Sequence, residues 1–436
     1  MTLSSQPAGK IHIEPLVALT DVPLAIRLTG FEPHQQVTLR ARTGDDDFGR
    51  AWESYAVLET DGHGSVDLAR QAPLAGTYVD ADPMGLVWSM ELDPAAEEEC
   101  YFRKRTPDPI RIDFTAEVDG EVVSGARAVR QFLAPGETRV EVREEGLTGV
   151  LFLPAEPDPR PAVIVLGGGD GGLLEHGAAL LAARGFVALA LGYFGVEPLP
   201  PEPHEIPLEY FGRAISWLQA RPEVNGDAIA VLGTSLGGMF GLLAAATYPH
   251  IKAVVGYVPL GIVLGIEPEN RPPACLDGQP LPFLPLVLTP DEEQRFEELS
   301  RAQEPVSIAP VLFRLLDDRS DPEMGEIPVE RINGPVLLLT GEDDQAIPSP
   351  AFAERIMARL EKKGFPHPYY HGCYAGAGHA MGPPHCHGLP YVPTYGRAPA
   401  SGPVGAFGGT TRDNARANVE SWQQVLRFLG ESLGGS

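Results

Sequence analysis

The sequence predicts an α/β fold with a mostly parallel sheet, preceded by an antiparallel β-sandwich domain of immunoglobulin-like form. Three observations lead to this prediction. Residues 11 to about 140 contain short alternating apolar runs separated by turn signals, a pattern typical of a β-sandwich. From about residue 141, continuously apolar strands alternate with helical patterns, which indicates parallel strands covered by helices on both faces. In that second region, a Gly-x-Ser-x-Gly turn joins one such strand to one such helix.

The first predicted domain comprises residues 1–140 and shows no catalytic motif. Its strand-sized runs, which alternate in polarity and are separated by turns such as Asp61-Gly62 and Asp119-Gly120, lie at 24–28, 36–40, 51–58 and 110–114. Residues 83–90 combine methionine, tryptophan and aliphatic side chains. We expect this segment to pack as core rather than to form the wall of a ligand site, because methionine fills irregular gaps between packed elements.

The second predicted domain comprises residues 141–436. Its strands are expected at 149–154, 162–166, 187–193, 253–258, 334–340 and 369–374, and its helices at 173–184 and 208–220. The interval at about 260–333 breaks this alternation, since it is proline-rich at first and then carries helical patterns near 290–301 and 308–316. We expect it to form a lid-like insertion above the strand ends.

The strand, turn and helix around Ser235 have the pattern of the nucleophile elbow of an α/β-hydrolase. Gly233 and Gly237 are needed because the tight turn leaves no room for a Cβ atom, and the turn lifts the Ser235 hydroxyl clear of the sheet. The stretch 228–249 carries no charged residue, so its length also fits a membrane span. The glycine-rich interruption, the lack of flanking basic anchors and the apolar strand that follows favour a buried strand and a core helix instead.

Two backbone amides are expected to form an oxyanion hole. Leu236 follows the nucleophile at the start of the helix, where its N–H stabilises a developing negative charge. The second amide comes from the glycine-rich loop 167–172, in which Gly168, Gly169 and Asp170 are the candidates. The loop has the composition of a phosphate-binding loop, but it lacks the Lys-Ser/Thr ending of a P-loop and the spacing of a dinucleotide fingerprint.

A base and an acid must follow the serine, in the chain order Ser, Asp or Glu, His that this fold uses. The buried strand at 334–340 is followed by Gly-Glu-Asp-Asp, and an acid just past the C-terminal end of a strand faces the site in an open α/β sheet. We select Asp344 as the acid, with Asp343 as the alternative. His379 is the predicted base, because it follows the last expected strand and a run of small residues that lets its loop fold back over the elbow.

Charge and composition exclude several classes of protein. The 436-residue chain carries 33 basic and 59 acidic residues, for a net charge of −26, which disfavours nucleic acid or an anionic membrane as a partner. Its 4 cysteines are too few for a disulfide framework, and its N-terminus lacks the apolar core of a signal peptide, so a cytoplasmic location is expected. We expect no cofactor and no metal, because the histidines and cysteines near the C-terminus lack the spacing of a zinc site. These residues are His367, His371, Cys373, His385, Cys386 and His387.

Segments along nearly the whole chain resemble one family, the acyl-CoA thioesterases related to bile acid-CoA:amino acid N-acyltransferase. The segments that carry the resemblance are 37–41, 76–78, 82–89, 171–175 and 208–211, together with Gly378-His379 before Pro383-Pro384 and Gly408-Gly409 leading to Trp422. The resemblance implies a β-sandwich followed by an α/β-hydrolase domain, and a triad of Ser235, Asp344 and His379. Leu236 departs from the family pattern, in which many animal members have lysine, and the 260–333 interval is longer and richer in proline.

The expected activity is hydrolysis of acyl-CoA, or of a similar acyl thioester, through an acyl-serine intermediate. Within the family, a serine nucleophile goes with hydrolysis and a cysteine with transfer to amino acids, so Ser235 indicates hydrolysis. Three alternatives stay open: an esterase of the dienelactone-hydrolase type, acyl transfer from CoA to an amine, and a binding module that has lost activity. The phosphates of CoA require local cations, for which the candidates are Arg103-Lys104-Arg105 and Lys362-Lys363.

Overall fold

The fold is described from a computed structural model, in which the described residues are 9–92, 102, 104, 106–156, 158–265, 270–382, 395–397 and 404–434. Their contacts divide the chain into two compact units, with the division between Ala134 and Pro135. The boundary expected at residue 140 falls inside a strand, Thr138–Val142, that belongs to the sheet of the second unit. We therefore propose that the second domain begins at Pro135.

The first unit consists of two β-sheets. Its elements are β1 (Lys10–Glu14), β2 (Val17–Leu19), β3 (Ala25–Thr29), β4 (Gln36–Thr43), β5 (Trp52–Glu59), β6 (Val66–Asp67), β7 (Ala75–Gly76), α1 (Gly85–Trp88), β8 (Glu91–Leu92), β9 (Ile110–Val118) and β10 (Glu121–Gln131). One sheet has the order β1-β3-β6, and the other has the order β2-β10-β9-β4-β5-β7 with β8 also paired to β5. The pairs are antiparallel except for β2, which runs parallel to β10. Alternating buried and exposed residues along β4 and β5 explain why each strand has one core face.

The methionine and tryptophan segment at 83–90 lies in the core, as the sequence predicts. Leu86, Val87 and Met90 are fully buried. The carbonyl of Leu86 accepts a 2.5 Å hydrogen bond from Ser54 Oγ on β5, and Trp88 Nε1 donates to Asp82 Oδ2 at 2.8 Å. Packing therefore accounts for these side chains without a ligand.

The second unit alternates strands and helices around one large sheet. Its elements are β11 (Thr138–Val142), β12 (Gly149–Leu153), β13 (Arg160–Leu166), α2 (Glu175–Ala182), β14 (Val187–Leu191), β15 (Ile206–Pro207), α3 (Glu209–Gln219), β16 (Val224–Thr234), α4 (Leu236–Thr247), β17 (Ile251–Tyr257), β18 (Ala274–Leu276), β19 (Gln279–Pro280), α5 (Pro290–Ala302), α6 (Ala309–Asp318), a 3₁₀ helix at Val329–Arg331, β20 (Val336–Gly341), α7 (Ser349–Lys362), β21 (Tyr369–Tyr374), β22 (Tyr395–Arg397), β23 (Val404–Ala406) and α8 (Thr411–Leu433). The helix expected at 173–184 begins only at Glu175, because Gly171 and Gly172 adopt positive φ angles and Leu174 is not yet helical.

The large sheet has the strand order and the strand directions of an α/β-hydrolase. Its described strands are ordered β11-β12-β14-β13-β16-β17-β20-β21. β11, β12 and β14 pair in antiparallel fashion, and every pair from β14 to β21 is parallel. β14 and β20 are buried along their whole length, as expected for parallel strands covered on both faces. The predicted fold class is therefore confirmed.

The uncharged stretch at 228–249 forms the end of β16 and the whole of α4. Every residue of α4 from Leu236 to Ala245 is buried, so this helix lies inside the unit. Among the residues whose structure is described, no helix is both long enough and apolar enough to cross a membrane.

The 260–333 interval contains a small sheet and two helices of different character. The sheet pairs β18 and β19 with β15, which comes from an earlier part of the chain. Helix α6 buries Val311, Leu312 and Leu315, whereas no residue of α5 is fully buried, although the whole helix is described. Arg314 on α6 holds Glu292 on α5 through two hydrogen bonds of 2.9 and 2.7 Å. This ion pair therefore ties α5 to α6.

Substitution of Glu292 by Gln is expected to loosen α5. A charge-assisted bidentate pair is worth about 1 kcal/mol at such a site, so cleavage of α5 in limited proteolysis at pH 7 should be about fivefold faster. Glu297→Gln is the matched control, because the Arg301–Glu297 pair on the same helix is mostly exposed. The hydrogen bonds from Arg314 lower the pKa of Glu292 from 4.5 to about 2. The difference in cleavage rate between variant and wild type should therefore persist above pH 4.5 and disappear as the pH falls towards 2. Equal cleavage rates of variant and wild type at pH 7 would contradict the role of this ion pair.

Candidate active site

Ser235 stands at the turn between β16 and α4 with backbone angles φ 54° and ψ −117°. Residues other than glycine rarely adopt such angles, and they occur mainly at functional sites. A Cβ atom on Gly233 would overlap the backbone of Gly237, and one on Gly237 would overlap the carbonyl oxygens of Leu166 and Gly167. Both glycines are thus required for the close approach of helix and strand that this turn demands.

The structure brings Ser235, His379 and Asp344 into one chain of hydrogen bonds. His379 Nε2 lies 3.0 Å from Ser235 Oγ, and His379 Nδ1 lies 2.9 Å from Asp344 Oδ2. A proton on Nδ1 that is bonded to the carboxylate leaves Nε2 able to accept the proton of the serine hydroxyl. This is the arrangement required to make the serine oxygen nucleophilic.

Asp344, rather than Asp343, contacts the histidine. The carboxylate of Asp344 is fully buried, and besides His379 it accepts hydrogen bonds from Ser349 Oγ at 2.5 Å and Ile347 N at 3.0 Å. A buried carboxylate requires such donors to offset its loss of hydration. Asp343 is exposed, and it accepts a hydrogen bond of 2.8 Å from the backbone N–H of Gly409.

The small residues before His379 have a steric function. A Cβ atom on Gly378 would overlap the backbone of Gly408 and the carbonyl oxygen of Phe407. That same Phe407 carbonyl accepts the backbone N–H of His379 at 2.7 Å. The backbone at Gly378–His379 therefore packs directly against the backbone at Phe407–Gly408, next to the imidazole of His379.

The two predicted donors of an oxyanion hole lie on either side of Ser235. Leu236 is the first residue of α4, where a backbone N–H has no acceptor within the helix. In the glycine-rich loop, Gly168 is closest to the nucleophile, since a Cβ atom on it would lie 3.4 Å from Ser235 Cβ. Gly169 and Asp170 are exposed on the same loop. The choice of second donor among these three residues stays a prediction.

Sequence reasoning did not identify Tyr193, which holds the glycine-rich loop in place. Its hydroxyl donates a hydrogen bond of 2.7 Å to the carbonyl of Gly167, and its ring packs among Phe194, Phe211 and Phe240. Complete burial raises the pKa of Tyr193, so its hydroxyl remains a donor. The only signal in the sequence is a tyrosine just after a buried strand, which does not reveal the partner.

The histidines and cysteines considered as metal ligands do not form a site in the described part of the chain. His371 is half-buried on β21, where its Nε2 lies 2.8 Å from Thr340 Oγ1 and its burial lowers the pKa of the imidazole. Across the residues that the structure describes, no three His, Cys, Asp or Glu side chains are placed to hold a metal ion. His385, Cys386 and His387 lie outside the described residues.

Of the cations considered for the phosphates of CoA, the described Lys362 and Lys363 do not lie beside Ser235, His379 and Asp344. Lys362 and Lys363 lie at the end of α7, a helix of 14 residues that begins at Ser349 next to the acid. At 1.5 Å per residue, about 20 Å of helix separates these lysines from the site. Arg103 and Arg105 lie outside the described residues, so neither cluster enters the proposal below.

Comparison with known proteins identifies relatives over the whole chain. Residues 21–144 match the family model described as "Acyl-CoA thioester hydrolase/BAAT N-terminal region", and residues 206–435 match "BAAT / Acyl-CoA thioester hydrolase C terminal". Acyl-coenzyme A thioesterase 1 of Rattus norvegicus is 35% identical, over 100% of this chain and 97% of the relative. The peroxisomal succinyl-coenzyme A thioesterase of Mus musculus is 31% identical over 100% and 97%. A solved dienelactone hydrolase-like promiscuous phosphotriesterase from metagenomic libraries is 19% identical, with a TM-score of 0.39 over 68% of this chain and 98% of its own.

Substitution of the two neighbouring acids should separate their roles. Asp344→Asn removes the carboxylate that orients the imidazole, so the rate at which a fluorophosphonate probe labels Ser235 should fall about 10³- to 10⁴-fold. Asp343→Asn is the matched control and should label within about threefold of wild type, because Asp343 does not contact His379. Similar losses in both variants, measured by mass spectrometry of the labelled protein, would contradict the assignment of Asp344.

Tyr193→Phe deletes one hydroxyl without changing the shape of the core. Because the Gly167 carbonyl then loses its buried donor, at a cost of about 1–3 kcal/mol, the loop should shift and acylation by p-nitrophenyl acetate should slow about tenfold. Tyr210→Phe is the control: its hydroxyl is also buried, but it donates to Gly192 O at 2.6 Å and accepts the N–H of Thr148 at 3.0 Å rather than bonding to the glycine-rich loop. Both variants should unfold at a lower temperature than the wild type. An equal loss in acylation rate in the two variants would exclude a specific effect of the Tyr193 hydroxyl.

Proposed function

The chain belongs to the family of acyl-CoA thioester hydrolases and BAAT proteins, and from that premise we propose that it is a serine-dependent acyl-CoA thioesterase. The observation that carries the proposal is the hydrogen-bonded chain from Ser235 through His379 to the buried Asp344. A member of this family with that arrangement has the groups needed to form and hydrolyse an acyl-serine.

The first half of the proposed reaction acylates the serine. Ser235 Oγ attacks the thioester carbonyl carbon while His379 Nε2 takes the hydroxyl proton. Asp344 keeps the imidazole in orientation and stabilises its positive charge. The carbonyl oxygen becomes an oxyanion, which the N–H of Leu236 and one N–H of the loop 168–170 stabilise by about 3 kcal/mol per donor. When the tetrahedral intermediate collapses, the C–S bond breaks and CoA leaves as the thiol, protonated by His379.

The second half of the reaction hydrolyses the ester. A water molecule gives a proton to His379 Nε2 and attacks the acyl carbon, and the bond to Ser235 Oγ breaks with return of that proton. The free acid leaves and the starting state is restored. Serine supports this step better than transfer to an amine, because an oxygen ester is a weaker acyl donor to amines than the thioester that a cysteine would form.

The residues beside the nucleophile support an uncharged acyl chain as the substrate. The segment directly after β17, at 258–265, contains no charged side chain. Its residues Leu260, Ile262, Val263 and Leu264 are buried, and the N–H of Leu260 lies 3.4 Å from the carbonyl oxygen of Ser235. We propose that the acyl chain lies along this segment, where the free carboxylate of a dicarboxylic acyl group such as succinyl would lose hydration at a high cost.

The cellular compartment stays a prediction. The sequence favours a cytoplasmic location, whereas the name of one relative refers to the peroxisome.

Rates of CoA release across a series of acyl-CoAs test the proposal. Apolar saturated acyl chains should be cleaved with a higher kcat/KM than succinyl-CoA, and Ser235→Ala should reduce kcat by about 10⁴- to 10⁶-fold. Thiol release followed with a chromogenic disulfide provides the measurement, and p-nitrophenyl esters and added glycine or taurine are the comparison reactions. Ester cleavage without thioester cleavage would indicate an esterase, and amide product would indicate an acyltransferase. Undiminished thiol release by Ser235→Ala would contradict the proposal outright.

A further inference from the structure

Two asparagines on helix α8 are buried where an apolar residue is the usual choice. Asn414 is fully buried and Asn418 is 8% exposed. They are four residues apart, so they share the helix face that also buries Ser421 and Val425. Asparagine is a poor helix former, and a buried amide is costly unless its oxygen and nitrogen both find partners. The position of these residues therefore points to specific partners.

The partner of Asn414 is the backbone just before the predicted base. Its Oδ1 accepts the N–H of Gly378 at 2.7 Å. Its Nδ2 donates to the carbonyl of Gly408 at 3.3 Å. One amide thereby joins the loop that carries His379 to the neighbouring backbone at Phe407–Gly408, whose Phe407 carbonyl accepts the N–H of His379.

The partner of Asn418 is the backbone just after the base. Its Oδ1 accepts the N–H of Gly382 at 3.0 Å, and its Nδ2 donates to the carbonyl of Ala380 at 3.2 Å. The loop from Gly378 to Gly382 belongs to no helix or strand, so its backbone groups need partners from elsewhere. The two asparagines supply three of them, and they do so on both sides of His379.

We propose that Asn414 and Asn418 are positioning residues, which hold the imidazole of His379 in line between Asp344 and Ser235. The inference rests on the proposed function, because it assumes that Ser235, His379 and Asp344 act together in catalysis. Helix α8 acts in this view as a rigid support, since a helix fixes the spacing of side chains four residues apart.

The rate should depend on this support because the hydrogen bonds of the triad tolerate little displacement. The Ser235 Oγ to His379 Nε2 distance is 3.0 Å, and a shift of about 1 Å in a reacting group can cost about 100-fold in rate. Loss of Asn418 removes a partner from two backbone groups of this loop, and loss of Asn414 removes one from Gly378 N and one from the neighbouring Gly408 carbonyl. The loop would then sample positions in which the imidazole no longer meets the hydroxyl.

Single alanine variants test the inference, with Ser421→Ala as the matched control. Ser421 is fully buried on the same face of α8, and the hydrogen bond that its hydroxyl makes among the described residues goes to the helix itself, at Asn418 O. Asn414→Ala and Asn418→Ala should each lower the rate of fluorophosphonate labelling of Ser235, and kcat for the thioester, by about 10- to 100-fold with KM unchanged. The control should stay within about twofold. Circular dichroism would verify that each variant is folded at the assay temperature, and Asn418→Ser is the milder change if an alanine variant is not.

A double-mutant cycle separates positioning from a general loss of stability. If the asparagines act through the imidazole, adding Asn414→Ala to His379→Ala should cause no further loss in the residual hydrolysis of p-nitrophenyl acetate. The same fold-loss in both backgrounds, or wild-type labelling of the single variants, would overturn the inference. Failure of the proposed function gives a different result: the wild type would be labelled at Ser235 and cleave the ester but release no CoA. The double-mutant cycle could still be measured in that case, because it uses ester hydrolysis.

Discussion

The strained backbone at Ser235 is the constraint around which the second unit is built. A serine with φ 54° is held there because β16 enters the turn and α4 leaves it. Gly233 lets β16 and α4 approach to backbone contact, and Gly237 lets α4 approach the end of β13 at Leu166 and Gly167. The neighbouring backbone and helix hold Ser235 in this conformation. The N–H of Ser235 donates to Tyr257 O at 2.8 Å, and residues Leu236 to Ala245 of α4 are all buried. A rigid elbow of this kind presents one hydroxyl in one place.

The other groups proposed to act in catalysis reach that hydroxyl because parallel strands end at one edge of the sheet. Asp344 follows β20, and His379 follows β21, its neighbour. The glycine-rich loop follows β13, which pairs with β16 on the other side. Four strand ends thus bring together the proposed nucleophile, acid and base and the candidate oxyanion donors, as in other open α/β sheets whose sites lie beyond the carboxyl ends of the strands.

The sequence predicted the features that depend on local patterns. The elbow has its own spacing of glycines, the buried strands are continuous apolar runs, and the chain order of serine, acid and histidine restricts the candidates to a few. It favoured Asp344 but left Asp343 as an alternative, since adjacent acids differ only in which one the fold buries. Tyr193, Asn414 and Asn418 escaped notice because their partners, at Gly167, Gly378 and Gly382, are distant in the chain. The start that we propose for the second domain, at Pro135, differs from the predicted residue 141 because β11 is recognisable only by its pairing with β12.

The central claim is that the acyl group passes through an ester on Ser235. Its most direct test is to mix the protein with an acyl-CoA, quench the reaction with acid within the first turnover, and map the mass of the acyl group by peptide sequencing. We expect an acyl adduct on the peptide that contains Ser235, at this side chain alone, which decays as free acid appears. Turnover of acyl-CoA with no adduct at any time, or with the adduct on another residue, would contradict it.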